Sequence, residues 1–143
     1  MSPQEMREVI LNWGEEILHK GNLDKFEDFI APDYVRHTDP GGPVGGSDIV
    51  GVEDTRQTIA AFRNVFPDAR FTNDDMLIDG DKVIVRWTCT ATHQGTFRGI
   101  PPTGKRVTFM GINIYRLRDG KIVERWSVKD YATVFRQLGA SPA

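Results

Sequence analysis

The stretch "GIPPTGKRVTFMGINIY", Gly99 to Tyr115, admits two incompatible readings. Gly99, Gly104 and Lys105 stand at the spacing of a phosphate-binding loop, which would imply a nucleotide. That loop needs backbone N–H groups aimed at phosphates, a hydroxyl after the lysine and a helix opening behind it. Pro101 and Pro102 remove two of those N–H groups, and Arg106 stands where the hydroxyl belongs. The residues beyond Arg106 decide between the two. Val107, Phe109 and Tyr115 alternate with Met110, Ile112 and Ile114, a period of two that makes a strand and not a helix. The segment 94–104 is therefore a connection between antiparallel strands, and the nucleotide reading falls.

The same period extends on both sides. It predicts strands near 70–79, 82–93, 105–117 and 121–129, with "DGD" at 79–81 and "DG" at 119–120 as tight hairpin turns. Before residue 68 the period is helical. Ser2, Pro3 and Glu5 make an N-cap, a first-turn proline and a capping-box glutamate. Met6, Val9, Ile10, Trp13 and Ile17 form the inward stripe, and Gly21 stops it. A short helix is expected over Leu23–Ile30 and a third over Val52–Phe66. Between them, about four residues of strand lead into a long Gly/Pro-rich loop. A closing helix carries Tyr131, Val134, Phe135 and Leu138, with Gly139 as its stop. The order predicts one α+β domain over 1–143: N-terminal helices packed on a curved, mostly antiparallel sheet that closes into a cone with an internal pocket. Strand 105–117 is apolar on both faces, which predicts a second cover, a homodimer formed through the sheet.

Hydrophobic residues are 39% and charged residues 27% of the 143, and the net charge is −2. That balance gives no basic field for nucleic acid or an anionic membrane, so neither is an expected partner. No apolar run is long enough to span a bilayer and the start lacks a secretion-signal pattern, so a cytoplasmic location is expected. The one cysteine, Cys89, lies in an alternating apolar strand and reads as a buried small hydrophobe.

The candidates for chemistry are polar groups inside apolar elements. His19, His37 and His93 are far apart, and no metal-ligand spacing occurs. Two readings fit His37, a surface loop residue or a pocket residue. Two also fit His93, which ends a strand on the parity of Val83, Val85, Trp87 and Cys89. Asn113, mid-strand, needs a partner or a ligand. Ile122, Glu124, Trp126, Val128 and Asp130 share one parity on the last strand. A carboxylate beside that tryptophan in an apolar pocket would have the raised pKa of an acid–base catalyst. Asp130 equally suits the N-cap of the closing helix. Trp126 is the candidate pocket wall.

The segment from Thr92 to Gly139 resembles the SnoaL-like polyketide cyclases, also called ester cyclases, of the nuclear-transport-factor-2-like superfamily. "GIPPTGK", "DGKIVERW" and "RQLG" carry the resemblance, and "YVRHTDP" extends it more loosely into the first half. It implies an α+β cone whose pocket takes small carbonyl-bearing molecules without metal or organic cofactor. Aldol-type members use a His and an Asp on the last two strands, and those positions fall on Asn113 and Ser127 here. Neither is a general base near neutral pH unaided. The expected assignment is thus Asp130 as the acid–base group, with His93 and His37 orienting the substrate. Asn113, Trp126, Glu124, Trp87, Trp13 and Ser127 are then substrate contacts. Cyclase-type chemistry is the first expectation. Cofactor-independent hydroxylation or a non-catalytic binding role are the alternatives.

Overall fold

The computed structural model describes residues 1–37 and 49–139. Most of the Gly/Pro-rich loop after His37 lies outside the described residues. Helix α1 spans Pro3–Trp13 and begins with the expected capping box, in which the Ser2 hydroxyl accepts from the Glu5 N–H. The chain continues as a π-helix, Gly14–His19, rather than as one long α-helix. Its wider turn buries Ile17 completely while Leu18 and His19 remain half-buried. Helix α2 is only Phe26–Phe29, entered through a 3₁₀ turn at Leu23–Lys25. Strand β1 takes Ile30–His37, a longer strand than the sequence pattern suggested. Strand β2 is Ile49–Val50 and helix α3 is Val52–Val65. Strands β3 (Arg70–Asp79), β4 (Lys82–Thr92), β5 (Arg106–Arg118) and β6 (Lys121–Lys129) come next, then α4 (Tyr131–Leu138).

The six strands form one sheet in the order β2-β1-β6-β5-β4-β3. Among the described strands, only β1 with β6 is parallel. Ile30 pairs with Ile122 in that ladder, which draws it out of the expected second helix and into β1. The β3–β4–β5–β6 meander turns where the sequence placed its hairpins. Asp119 and Gly120 both have positive φ, 52° and 83°, the left-handed pair that a two-residue hairpin turn requires. The concave face carries the core, and α1 and α4 pack against it with Ile10, Trp13, Val134 and Phe135 buried. Cys89 belongs to this core, and burial pushes its thiol up to about 12, so it is no nucleophile at neutral pH.

A bulge in the sheet decides which side chains meet. Between Arg116 and Leu117 on β5, β6 advances from Glu124 to Ile122, an extra residue that makes a β-bulge at Val123. Ile122 therefore points into the core, whereas Glu124, Trp126 and Val128 point to the convex face. The single parity expected for Ile122 through Asp130 is split.

Glu16 ties the end of the first helical segment to the turn after it. It accepts from Asn22 Nδ2 at 2.8 Å, Lys20 Nζ at 3.2 Å and Lys25 Nζ at 3.4 Å. The Asn22 bond, then the Lys20 bond, lower its carboxyl from 4.5 to about 2. A folded-state value below the unfolded one stabilises the fold above pH 4.5, and that stabilisation is lost as pH falls toward 2. Glu16→Gln is expected to narrow the difference in Tm between pH 6 and pH 3, read by circular dichroism melting. An unchanged difference would show that the network contributes nothing.

Candidate functional site

A cavity of about 500 Å³ lies between the helices and the concave face of the sheet. That volume falls within the few hundred to 1,000 Å³ or so typical of small-molecule sites. Trp13, Ile59, Phe62 and Phe66 form its helical side, and Trp87 and Phe109 its sheet side. Gly111 makes room for this wall. It stands opposite Trp87 on β4, and a Cβ there would lie 2.3 Å from the indole Cζ2 and 2.6 Å from the Val128 carbonyl oxygen. Without that Cβ the indole lies across β5. The connection at 94–104 folds over one end of the cavity, where Thr96, Phe97 and Arg98 line it. It is held by Gln94 and Gly95 N–H groups that donate to the Val65 carbonyl at the end of α3.

The polar part of the cavity wall is set by register. Asn113 faces Ser127 across β5–β6, and Tyr115 faces Arg125. Asn113 and Tyr115 are two residues apart on one strand, so all four share the inner face. The Ser127 hydroxyl donates to Asn113 Oδ1 at 2.6 Å, and Asn113 Nδ2 donates to Tyr115 Oη at 2.9 Å. The Arg125 guanidinium lies 5.9 Å from the Tyr115 ring centre. Two further donors in the wall, the indole N–H groups of Trp13 and Trp87, are buried and find no acceptor among the described residues. An orphaned buried donor is costly, and its presence in a cavity wall points to a ligand acceptor.

The wall is also cationic. Arg36, Arg63, Arg98, Arg125 and Lys129 line the cavity, and Glu15 is the one carboxylate among its described residues. Arg36 is buried and ion-pairs with Asp54 at 2.9 Å, while Arg63 donates to the carbonyls of Leu18 and His19. Glu15 accepts from His19 Nδ1 at 3.1 Å, a bond that lowers its pKa. The other ring nitrogen, His19 Nε2, accepts from the Phe71 N–H at 2.9 Å, so His19 is committed to the scaffold at both nitrogens.

Several expected site residues lie elsewhere. Asp130 is exposed, is not part of the cavity wall and caps α4: Thr133 Oγ1 and Thr133 N–H donate to its carboxylate at 2.6 and 3.1 Å. Those two bonds hold its carboxyl below the usual range, the reverse of the raised value an acid–base catalyst needs. The cap reading is the one the geometry supports. Asp130→Ala is expected to cost about 1 kcal/mol of stability and to leave ligand affinity unchanged, as denaturant unfolding and ligand titration would show. A loss of affinity without a loss of stability would reverse the assignment.

His93 is fully buried on the inner parity but lies outside the cavity wall, 6.0 Å from the Phe66 ring centre. Its Nδ1 accepts from Thr103 N–H, and its main chain exchanges bonds with Gly104 and Lys105, so it pins the root of the 94–104 connection. His37, Glu124 and Trp126 are together, but on the convex face, because of the bulge at Val123 and because β1 turns Arg36 inward and His37 outward. His37 stacks on Trp126 at 4.9 Å, and its Nε2 lies 2.7 Å from a Glu124 oxygen. Arg116 Nε donates to the other Glu124 oxygen at 2.9 Å. Burial raises the Glu124 pKa, but the His37 and Arg116 bonds outweigh it and the net shift is down. None of the three touches the cavity. Trp13, Trp87 and Asn113 do line it, and Ser127 stands directly behind Asn113. Tyr115, Arg125, Arg36 and Arg98 were not foreseen as wall residues. For Tyr115 a signal existed, its shared parity with Asn113.

The model of the SnoaL-like polyketide cyclase family matches residues 8–138. The chain belongs to that family. Among curated relatives it is 26% identical over 125 residues to aklanonic acid methyl ester cyclase DnrD of Streptomyces peucetius, covering 87% of this chain and 84% of that one. Among solved structures it is similar to AclR of Streptomyces galilaeus, a candidate hydroxylase, with a TM-score of 0.85 and 28% identity over 99% of this chain and 85% of that one. It is likewise similar to IdmH of Streptomyces antibioticus, a candidate polyketide cyclase, with a TM-score of 0.83 and 31% identity over 94% of this chain and 99% of that one. Within this SnoaL-like fold, the two strand positions that the resemblance singled out, Asn113 and Ser127, are paired in register and hydrogen-bonded to each other.

Proposed function

We propose that the chain is a small-molecule enzyme acting on a carbonyl-bearing, polyketide- or ester-like substrate by chemistry at the carbon next to the carbonyl, without metal or organic cofactor. The supporting observation is the ordered chain from Ser127 through Asn113 to Tyr115 in the wall of a cavity lined by aromatic rings and cationic side chains. Flat rings suit a flat substrate. The Tyr115 hydroxyl that ends this chain suits a carbonyl oxygen that becomes negative when the adjacent C–H is ionised. The relatives include an aklanonic acid methyl ester cyclase, which makes ring closure the first reaction to test.

Incubation with aklanonic acid methyl ester and simpler aromatic keto esters, followed by mass spectrometry, separates the readings. A cyclised product isomeric with its substrate supports ring closure. Tight binding with no turnover of any keto ester would point to a ligand-binding module instead. Hydroxylation is the second reading, favoured by a wall rich in cations and donors with Glu15 its one described carboxylate. Such a wall suits a substrate that is itself the reactive anion. A product heavier by one oxygen atom, formed with matching oxygen uptake when an added two-electron reductant takes the second oxygen atom to water, would select it.

The same reading makes the convex face a homodimer contact. Met110, Ile112, Val128 and Leu77 are exposed there, at 44, 45, 71 and 59%. An apolar stripe of this kind on a twisted antiparallel sheet suits a second copy of itself. Light scattering on the wild type and on Ile112→Lys tests it: a dimer that the substitution converts to monomer is expected, and a monomeric wild type overturns the proposal.

A further inference from the structure

The direction of the hydrogen bonds in the cavity wall makes the ligand-pocket reading, on which this inference rests, more specific. Ser127 has one hydroxyl proton, and it goes to Asn113 Oδ1. With its oxygen so occupied, the amide turns its NH₂ toward Tyr115 and donates to the phenolic oxygen. Tyr115 Oη is therefore an acceptor within the chain, and among the described residues its own proton goes to no other group. All three residues are nearly inaccessible to solvent, with Tyr115 at 3%, Asn113 at 5% and Ser127 at 7% exposed. Tyr115 nonetheless forms part of the cavity wall. A hydroxyl that accepts from one side is a stronger donor on the other, because each bond polarises the next. Arg125, directly across on β6, places a positive charge beside the ring.

We propose that Tyr115 Oη donates the hydrogen bond that holds an ionised oxygen of the ligand, an enolate or phenolate on a flat aromatic framework. Asn113 and Ser127 act as positioning residues, and Arg125 keeps a positive charge on the same face of the sheet. The pocket then selects the anionic form of an acidic keto or hydroxy aromatic compound over the neutral form of the same molecule. The apolar rings of Trp13, Trp87, Phe62 and Phe109 hold its faces. A neutral carbonyl or a cationic ligand would meet the same donors without using the charge, and a low-dielectric wall magnifies that difference.

Alizarin, a planar hydroxyanthraquinone whose visible spectrum changes on ionisation, is a direct probe. Its binding is read by quenching of protein tryptophan fluorescence and its ionisation by absorbance across pH. The bound dye is expected to ionise at least about one pH unit below the free dye, a roughly tenfold bias toward the anion. In Tyr115→Phe, checked for native circular dichroism, the dye still binds and most of that bias disappears. Asn113→Asp gives an independent result. A carboxylate at that position accepts the Tyr115 proton, turns it away from the ligand, and removes the bias although the phenol remains. Ser127→Ala, the mildest change, reduces it partially. Quenching without a bias in the wild type, or a bias retained in both Tyr115→Phe and Asn113→Asp, overturns this inference and leaves the pocket reading intact. No quenching at all overturns both.

Discussion

Replacing Trp13 with alanine is expected to destabilise the protein by about 3–5 kcal/mol, the range for truncating a large buried aromatic. Trp13 is 1% exposed and closes the last turn of α1. Its ring meets Phe26 edge-on at 5.5 Å and Phe29 at 6.2 Å, and so joins the first helix to the short second one. Its other side borders the cavity, so the space left by the indole merges with the existing void and nothing refills it. Urea unfolding should show a lower midpoint with an unchanged slope. Trp13→Phe should be milder, on the order of 1–2 kcal/mol, because it keeps a ring and removes an indole N–H that has no acceptor among the described residues. A cost below about 1 kcal/mol for the alanine variant would mean that α1 is not anchored through this residue.

Gly111→Ala should also be destabilising, by about 1–3 kcal/mol or more. The sign is informative, because a glycine-to-alanine change in a compatible extended segment stabilises by about 0.4–1 kcal/mol. Here the new methyl would stand 2.3 Å from Trp87 Cζ2 and 2.6 Å from the Val128 carbonyl oxygen. The carbonyl belongs to the neighbouring strand and moves only with it. The indole cannot swing freely either, with Phe71 at 5.1 Å and Phe109 at 5.7 Å from its ring. The change therefore deforms the cavity wall as well as the sheet, so alizarin affinity should fall together with Tm. A variant of raised Tm would show that Trp87 has room to move and that Gly111 does not shape the pocket.

Much of the architecture was legible because it is written in local stereochemistry. Ser2 and Glu5 made a capping box, and "DG" at 119–120 a left-handed turn. Gly139, with φ of 76°, ends α4 in the conformation that favours glycine. The alternation in Arg106–Arg118 excluded a phosphate loop and put Asn113 and Tyr115 on one face. Where elements were misjudged, a distant partner intervened. Ile30 left the second helix because it pairs with Ile122 in the parallel ladder. The first helix passed into a π-helix after Trp13, which the spacing of its apolar residues did not reveal.

The sequence by itself determined the helix and strand periods, the turns, the inward stripes and the family. Each depends on residues near one another in the chain. Which polar side chains face one another was decided only in the folded sheet. The bulge at Val123 sends Glu124 and Trp126 to the convex face and Arg125 and Ser127 to the concave one. A bulge is a property of two paired strands, and neither strand's own alternation records it. Asp130, one step beyond β6, was claimed by the N–H and hydroxyl of Thr133 in the first turn of α4 before any ligand could use it. The polar chain from Ser127 to Tyr115 exists because β5 and β6 pair in one register, and a shift of one residue would send Asn113 and Tyr115 to opposite faces from Ser127 and Arg125.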